Sequence, residues 1–220
     1  MLSLQLPIPE DRPLRALFIG CHSDDIEIGC GGLVLDLVRR RPDTVVTWAV
    51  LSAIGSRENE ARASAEDFLQ GLNTPPGIIL GDFRDGFMPH DAALVKGFFE
   101  DSLKPFGPDL VLTHQRNDLH QDHRFACELT WNTFRDQVVL EYEIPKWDGD
   151  LGRPNAYVAL SEETLERKIA LLMTHFATQR SKDWFTPDLF RAIPRIRGME
   201  SRAPDGFAEA FYAPKLGLTI

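Results

Sequence analysis

At 220 residues and 43% hydrophobic content, the chain has the length and composition for one sizeable α/β core. A net charge of −9 argues against a phosphate-backbone binder, which needs clustered Lys and Arg, so no nucleic-acid partner is expected. Cys21, Cys30 and Cys127 form no C-x-x-C pair, which suits a reducing compartment. No apolar run reaches the roughly 18–20 residues of a membrane span, and residues 1–12 lack a signal-peptide pattern, so the expected location is cytoplasmic.

Residues 1–13, rich in proline, read as an irregular lead-in, and 14–20 as a first strand. The spacing of Leu33, Val34, Leu37 and Val38 predicts a first helix over about 31–40, ended by Pro42. Residues 44–51 are β-branched and apolar, the mark of a strand covered on both faces. Ala61, Ala65, Phe68, Leu69 and Leu72 place an amphipathic helix over 57–72. A short strand follows over 77–80, then a loop over 81–89 whose Asp82, Arg84 and Asp85 read as solvated charges able to rim a pocket. A helix to about 103 follows, with Asp91 as its cap.

The fourth strand, 109–113, runs into three histidines, His114, His120 and His123, and a helix over 122–135. Strands are expected over 138–143 and 156–160, and Ser161 caps a helix to about His175. Residues 179–202 read as mixed short helix and loop, and 209–213 as a last edge strand. The βαβα order predicts a single-domain, Rossmann-like (doubly wound), mainly parallel sheet with helices on both faces, spanning 1–220. No repeat or linker interrupts it.

Two clusters carry chemistry. The first is His22-Ser23-Asp24-Asp25 with Gly29, Gly31 and Gly32, at the junction between the first strand and first helix. The bland reading is an Asp-rich helix cap. The second is His120-Gln121-Asp122-His123, after the fourth strand. In a doubly wound sheet, strands one and four meet at the switch point, and ligands bind beyond the carboxyl ends of the strands. That topology brings the clusters together. Of the adjacent Asp24 and Asp25, one can ligate a metal while the other handles a proton. Two His and one carboxylate around an open position suit catalytic zinc, or Fe2+ in a two-His-one-carboxylate triad. Asp118 and Asp122 lie close enough in sequence to fix a histidine tautomer from behind.

These two motifs resemble those of the LmbE-like (PIG-L) family of zinc-dependent N-acetylglucosaminyl deacetylases, H-P-D-D followed by G-x-G-G and, later, H-x-D-H. The resemblance extends to about residue 135 and is loose beyond it. It implies that His22, Asp25 and His123 ligate Zn2+, that Asp24 is the general base, and that His120 stabilises the oxyanion or protonates it. Arg57 resembles a family arginine that holds the substrate. Ser23 stands where the family has Pro, which removes a rigid φ from the loop. His175 and Gln179 match a looser C-terminal pattern.

The function so implied is removal of acetyl from an N-acetylated amino sugar or its conjugate, with a small-molecule amino-sugar substrate or glycoconjugate as partner. A metal hydrolase of another amide or ester is the second reading. A non-catalytic sugar- or nucleotide-binding domain is the third, although such a nucleotide binder should carry G-x-G-x-x-G where this chain has acids. Trp131, Trp147 and Trp184 read first as core or interface residues; Trp147 is the preferred sugar platform among them. A homo-oligomer and the role of 145–220 are left open by the sequence.

Overall fold

The computed structural model describes residues 11–217, so most of the expected lead-in lies outside the described residues. Seven strands form one sheet in the order β3-β2-β1-β4-β5-β7-β6. They are β1 (Arg15–His22), β2 (Val45–Ser52), β3 (Gly77–Leu80), β4 (Leu110–His114), β5 (Val138–Tyr142), β6 (Ala156–Leu160) and β7 (Phe207–Tyr212). The first five pair in parallel, and β7 runs antiparallel between β5 and β6. This is the expected mainly parallel, doubly wound sheet.

Successive residues on β1 point to opposite faces, as the pleat requires. Ala16 and Phe18 join a core covered by α1 (Asp25–Arg40), α2 (Ser56–Phe68), α5 (Glu162–His175) and α6 (Pro187–Ser201). Leu17, Ile19 and Cys21 join a second core under α3 (Ala92–Phe98) and α4 (Gln121–Thr133). Because both faces are covered, the central strands read as unbroken apolar runs.

Several expected boundaries differ. The first helix starts at Asp25, not near Gly31, and is broken at Cys30 (φ −145°). Its glycines serve close approach rather than a turn. A Cβ at Gly29 would lie 2.2 Å from the Tyr142 ring, and one at Gly31 2.8 Å from Phe68. Asp91 sits at the start of α3 but makes no side-chain cap, and the helix runs on into a short turn with π geometry through Leu103. Residues 187–201 form one regular helix despite Pro194. The last strand lies inside the sheet, not at its edge, and carries a buried carboxylate, Glu209, on a side otherwise apolar.

β1 and β4 pair only from Ala16–Leu110 to Phe18–Leu112. Beyond that register the strands part, and the ends carrying His22 and His114 open a crevice at the switch point. Gly29→Ala should expose how tightly α1 is seated on β5. In an open helix site glycine-to-alanine stabilises by about 0.4–1 kcal/mol. Here the Tyr142 ring forces overpacking, and urea unfolding should show a loss of about 1–3 kcal/mol instead.

Candidate active site

The turn from β1 into α1 is held by its own acid. Asp25 Oδ2 accepts from the His22 backbone N–H at 2.7 Å, which folds the two side chains toward one point. Ser23 is fully buried and its hydroxyl donates to the Arg57 carbonyl at 3.2 Å, so the loop is tied to α2 where a proline would have stiffened it. Gly55 (φ +66°) makes the left-handed entry into α2 that sets Arg57 beside the turn. The Arg57 guanidinium then donates to Asp24 Oδ1 at 2.9 Å.

From the other side, α4 presents His120 and His123. His120 caps the helix: its Nδ1 accepts from the Asp122 N–H at 3.3 Å, which leaves Nε2 to carry the proton. His123 Nδ1 lies 2.9 Å from Asp118 Oδ2. Asp118 Oδ1 accepts from the His120 N–H at 2.8 Å and pairs with Lys146 at 3.0 Å.

Three atoms able to ligate a metal converge between these elements. His22 Nδ1 and His123 Nε2 are 3.2 Å apart, and Asp25 Oδ2 lies 3.3 Å from the first and 3.5 Å from the second. Ligands about 2.0–2.1 Å from a tetrahedral ion stand roughly 3.3 Å from one another, so the donor set fits zinc. All three residues are buried. Overlapping sets, among them His22 with His120 and His123, also bring ligand atoms within 4.8 Å.

The electrostatics of Asp25 and His123 agree with that fit, whereas His22, which burial would lower, is raised well above the usual imidazole range by Asp25, Asp122 and Asp85, so that ligation there would displace a proton. Burial alone would raise Asp25, but His123, His114 and His22 hold it well below the usual carboxylate range. Burial and repulsion from His114 push His123 down to about 4, which keeps its imidazole neutral, as ligation requires. Burial and the charge of Asp25 raise Asp24, with Arg57 opposing. His120 is lowered by burial and by His22.

A pocket of about 170 Å3 opens over this centre. His22, Asp24, Asp25, Arg57, His120 and His123 all line it. Asp118 and Asp122 stand behind the lining. Asp118 braces His123, while Asp122 accepts from the Gly86 and Met88 N–H groups at 2.7 and 3.2 Å and lies 3.5 Å from His22 Nε2. Asp122 therefore staples the loop over 81–89 as well as facing a histidine. His175 pairs with Asp67 instead, and neither it nor Gln179 lines the pocket.

Three residues carry more than the sequence reading assigned them. Asp85, which reads in sequence as a solvated loop charge, sits 2.9 Å from His22 Nε2 and 3.8 Å from Arg57, and its pKa falls to about 2 beside that imidazole. Its signal was the loop's place after β3, on the same sheet edge as the motifs. His114 is fully buried, with Nε2 3.1 Å from both Asp25 Oδ2 and the Cys21 N–H, so its tautomer decides which it serves. It also stacks on His123 at 3.9 Å. Its signal was its place directly after the expected fourth strand, at the same sheet end as the motifs. Trp147, 70% exposed, lines the pocket with Trp184 rather than closing a core. Trp131 instead donates to Glu141 at 2.7 Å, away from the pocket.

An α/β switch-point crevice that gathers two histidines and a carboxylate, with a second, arginine-held carboxylate beside them, is a class of site able to hold a metal ion next to a proton acceptor. The chain belongs to the PIG-L family, described as GlcNAc-PI de-N-acetylase, whose model matches residues 17–134. That membership supports a hydrolytic deacetylase. Solved structures of the same fold include a conserved protein from Thermus thermophilus, at 21% identity and TM-score 0.70, covering 94% of this chain and 97% of that one. GalB, the 4-carboxy-2-hydroxymuconate hydratase of Pseudomonas putida, aligns at 17% identity and TM-score 0.74 over 94% and 98% of the two chains. The N,N'-diacetylchitobiose deacetylase of Pyrococcus horikoshii aligns at 19% identity and TM-score 0.70 over 90% and 82%. No curated protein sequence matches. Among the described residues no helix is long and apolar enough to cross a membrane.

Because Asp118 orients His123 without facing the pocket, Asp118→Asn should weaken zinc affinity about 10–100-fold while leaving one site per chain. His123→Ala should abolish stoichiometric binding. Competition with a chromogenic chelator reads both, and unchanged affinity in His123→Ala would remove it from the ligand set.

Proposed function

We propose that the protein is a zinc-dependent hydrolase that removes acetyl from an N-acetylated amino sugar or its conjugate, with His22, Asp25 and His123 as the metal ligands and iron as the alternative metal. The observation that carries this is the convergence of His22 Nδ1, Asp25 Oδ2 and His123 Nε2 at 3.2–3.5 Å, with Asp24 beside them on the same pocket wall. Fold alone does not choose the reaction, since GalB is a hydratase.

When bound, zinc supplies Lewis-acid polarisation of the acetyl carbonyl and brings water within reach of deprotonation near neutral pH. Asp24 is the general base. Arg57 occupies its Oδ1, which fixes the carboxylate's orientation and leaves the other oxygen for proton transfer. Burial raises its pKa toward the range where one group can take a proton from attacking water and return it to the departing amine. His120, with Nδ1 committed to the Asp122 N–H, offers its Nε2 proton to the oxyanion that develops on the acetyl oxygen. Bond cleavage then yields acetate and the free amine. The exposed face of Trp147, edge-on to Trp184 at 6.0 Å, suits the apolar face of a sugar ring. Asp118 and Asp122 act behind the ligands, and the net charge of −9 favours a small-molecule glycoconjugate over a nucleic acid. A cytoplasmic location and one domain over 1–220 complete the reading; self-association is left to measurement.

The two acids should fail differently. Asp24→Asn should retain zinc and lose about 10²–10⁴-fold in turnover, because an amide cannot accept the proton. Asp25→Asn should lose zinc, since a neutral amide oxygen is a poorer partner for a dication, and excess zinc should restore part of its activity. Metal content and acetate release from a panel of N-acetyl amino-sugar conjugates measure both. Normal turnover in both variants would refute the assignment, and the reversed pattern would exchange the roles.

A further inference from the structure

The broken helix α1 carries the site on its first turn, and what holds the break comes from the far end of the chain. In a continuous helix the Gly32 N–H would bond the Ile28 carbonyl and the Leu33 N–H the Gly29 carbonyl. At this break side chains serve three of those four groups. Glu209 of β7 accepts from Gly32 at Oε1 and from Leu33 at Oε2, both at 2.7 Å. Lys168 of α5 donates to the Ile28 carbonyl at 2.7 Å and to Glu209 Oε1 at 2.7 Å. An ion pair is thus inserted into the helix ladder, its anion on two backbone donors and its cation on a backbone acceptor. Side-chain insertion of this kind is a known cause of sharp kinks.

The surrounding residues are built for it. Glu209 and Lys168 are 4% and 2% exposed. A Cβ at Gly32 would stand 2.9 Å from Glu209 Oε1, so the last glycine of the G-x-G-G run is what admits the carboxylate. Packing against Tyr142 seats one side of the first turn and leaves space on another. Ile28 and Gly29 line a cavity of about 30 Å3 on the side of Lys168 and Glu209, and Ile28 also lines the site pocket. The turn bearing Asp25, with Asp24 as its cap, is a wall between two spaces.

We infer that Glu209 and Lys168 are positioning residues: by splitting α1 at Cys30 they set the angle of the turn that aims Asp24 and Asp25 into the site. The inference rests on the deacetylase reading for its kinetic consequence and on geometry for the rest. It also gives the C-terminal part of the chain, beyond the 17–134 family match, a share in the site. Displacements of about 1 Å in a reacting group can cost roughly a hundredfold in rate.

Three full-length variants test it: Glu209→Gln, Lys168→Met and the two combined. Each single variant leaves a buried charge unpaired and should lower the thermal midpoint. The double variant buries no charge, so its midpoint should return toward wild type. Its kcat for acetate release should nevertheless stay at least tenfold low, with KM within about twofold. Its zinc affinity should be at least tenfold weaker, and amide hydrogen exchange over residues 26–29 should be faster than in wild type. A double variant that recovers kcat and zinc affinity along with stability reduces the pair to a structural ion pair, as does a double variant that does not fold. If wild type releases acetate from no N-acetyl sugar, the functional reading falls, while zinc affinity and hydrogen exchange still judge the positioning role.

Discussion

One carboxylate oxygen organises the molecule. Asp25 Oδ2 lies within 3.5 Å of a ring nitrogen from each of His22, His114 and His123, and it also accepts the His22 backbone N–H. Those partners come from β1, β4 and α4, so the contact exists only where β1 and β4 are neighbours and diverge. The parallel order that covers both faces of the sheet is the same order that opens the crevice. A buried carboxylate is costly unless it is paired, and three imidazoles answer that cost here. A cation between the same atoms would answer it more fully.

Around that point the acids divide by what holds them. Asp24 is held by Arg57, Asp118 by Lys146 and His123, and Asp122 by the backbone of the loop over 81–89. Asp85 links His22 to Arg57 from that same loop. Two carboxylates adjacent in sequence thus acquire opposite tendencies, Asp25 pushed down by imidazoles and Asp24 pushed up by burial and by Asp25. Such a split between neighbours is how one site supplies both a fixed anion and a proton acceptor. Asp85, a loop charge that looks solvated in one dimension, faces His22 in three.

The helix break connects this centre to residues that no local pattern links to it. Lys168 lies on α5 and Glu209 on β7, yet both bond the backbone of α1 close to Asp25 in the chain. Glu209 sits in the interior of β7, where an acid usually marks solvent, and here it marks a partner. The late start expected of the first helix reflects the break at Cys30. Its hydrophobic spacing becomes regular only after Cys30, where the second segment begins.

What the sequence determined by itself was local or periodic. Buried parallel strands announce themselves as apolar runs, helices by their 3.6-residue spacing, and the two motifs by residue types that chemistry seldom places together without use. Strand–helix alternation then put both motifs at the same end of the sheet, and His22, Asp24, Asp25, Arg57, His120 and His123 do line one pocket. Tertiary structure alone decided the roles that depend on distance between remote atoms. Whether Asp85 reaches His22, whether His114 stacks on His123, and whether an ion pair enters the ladder of α1 are settled by packing across the sheet. Residues 177 positions apart in the chain share no period, so no spacing rule could have joined Gly32 to Glu209 before the fold brought them to 2.7 Å.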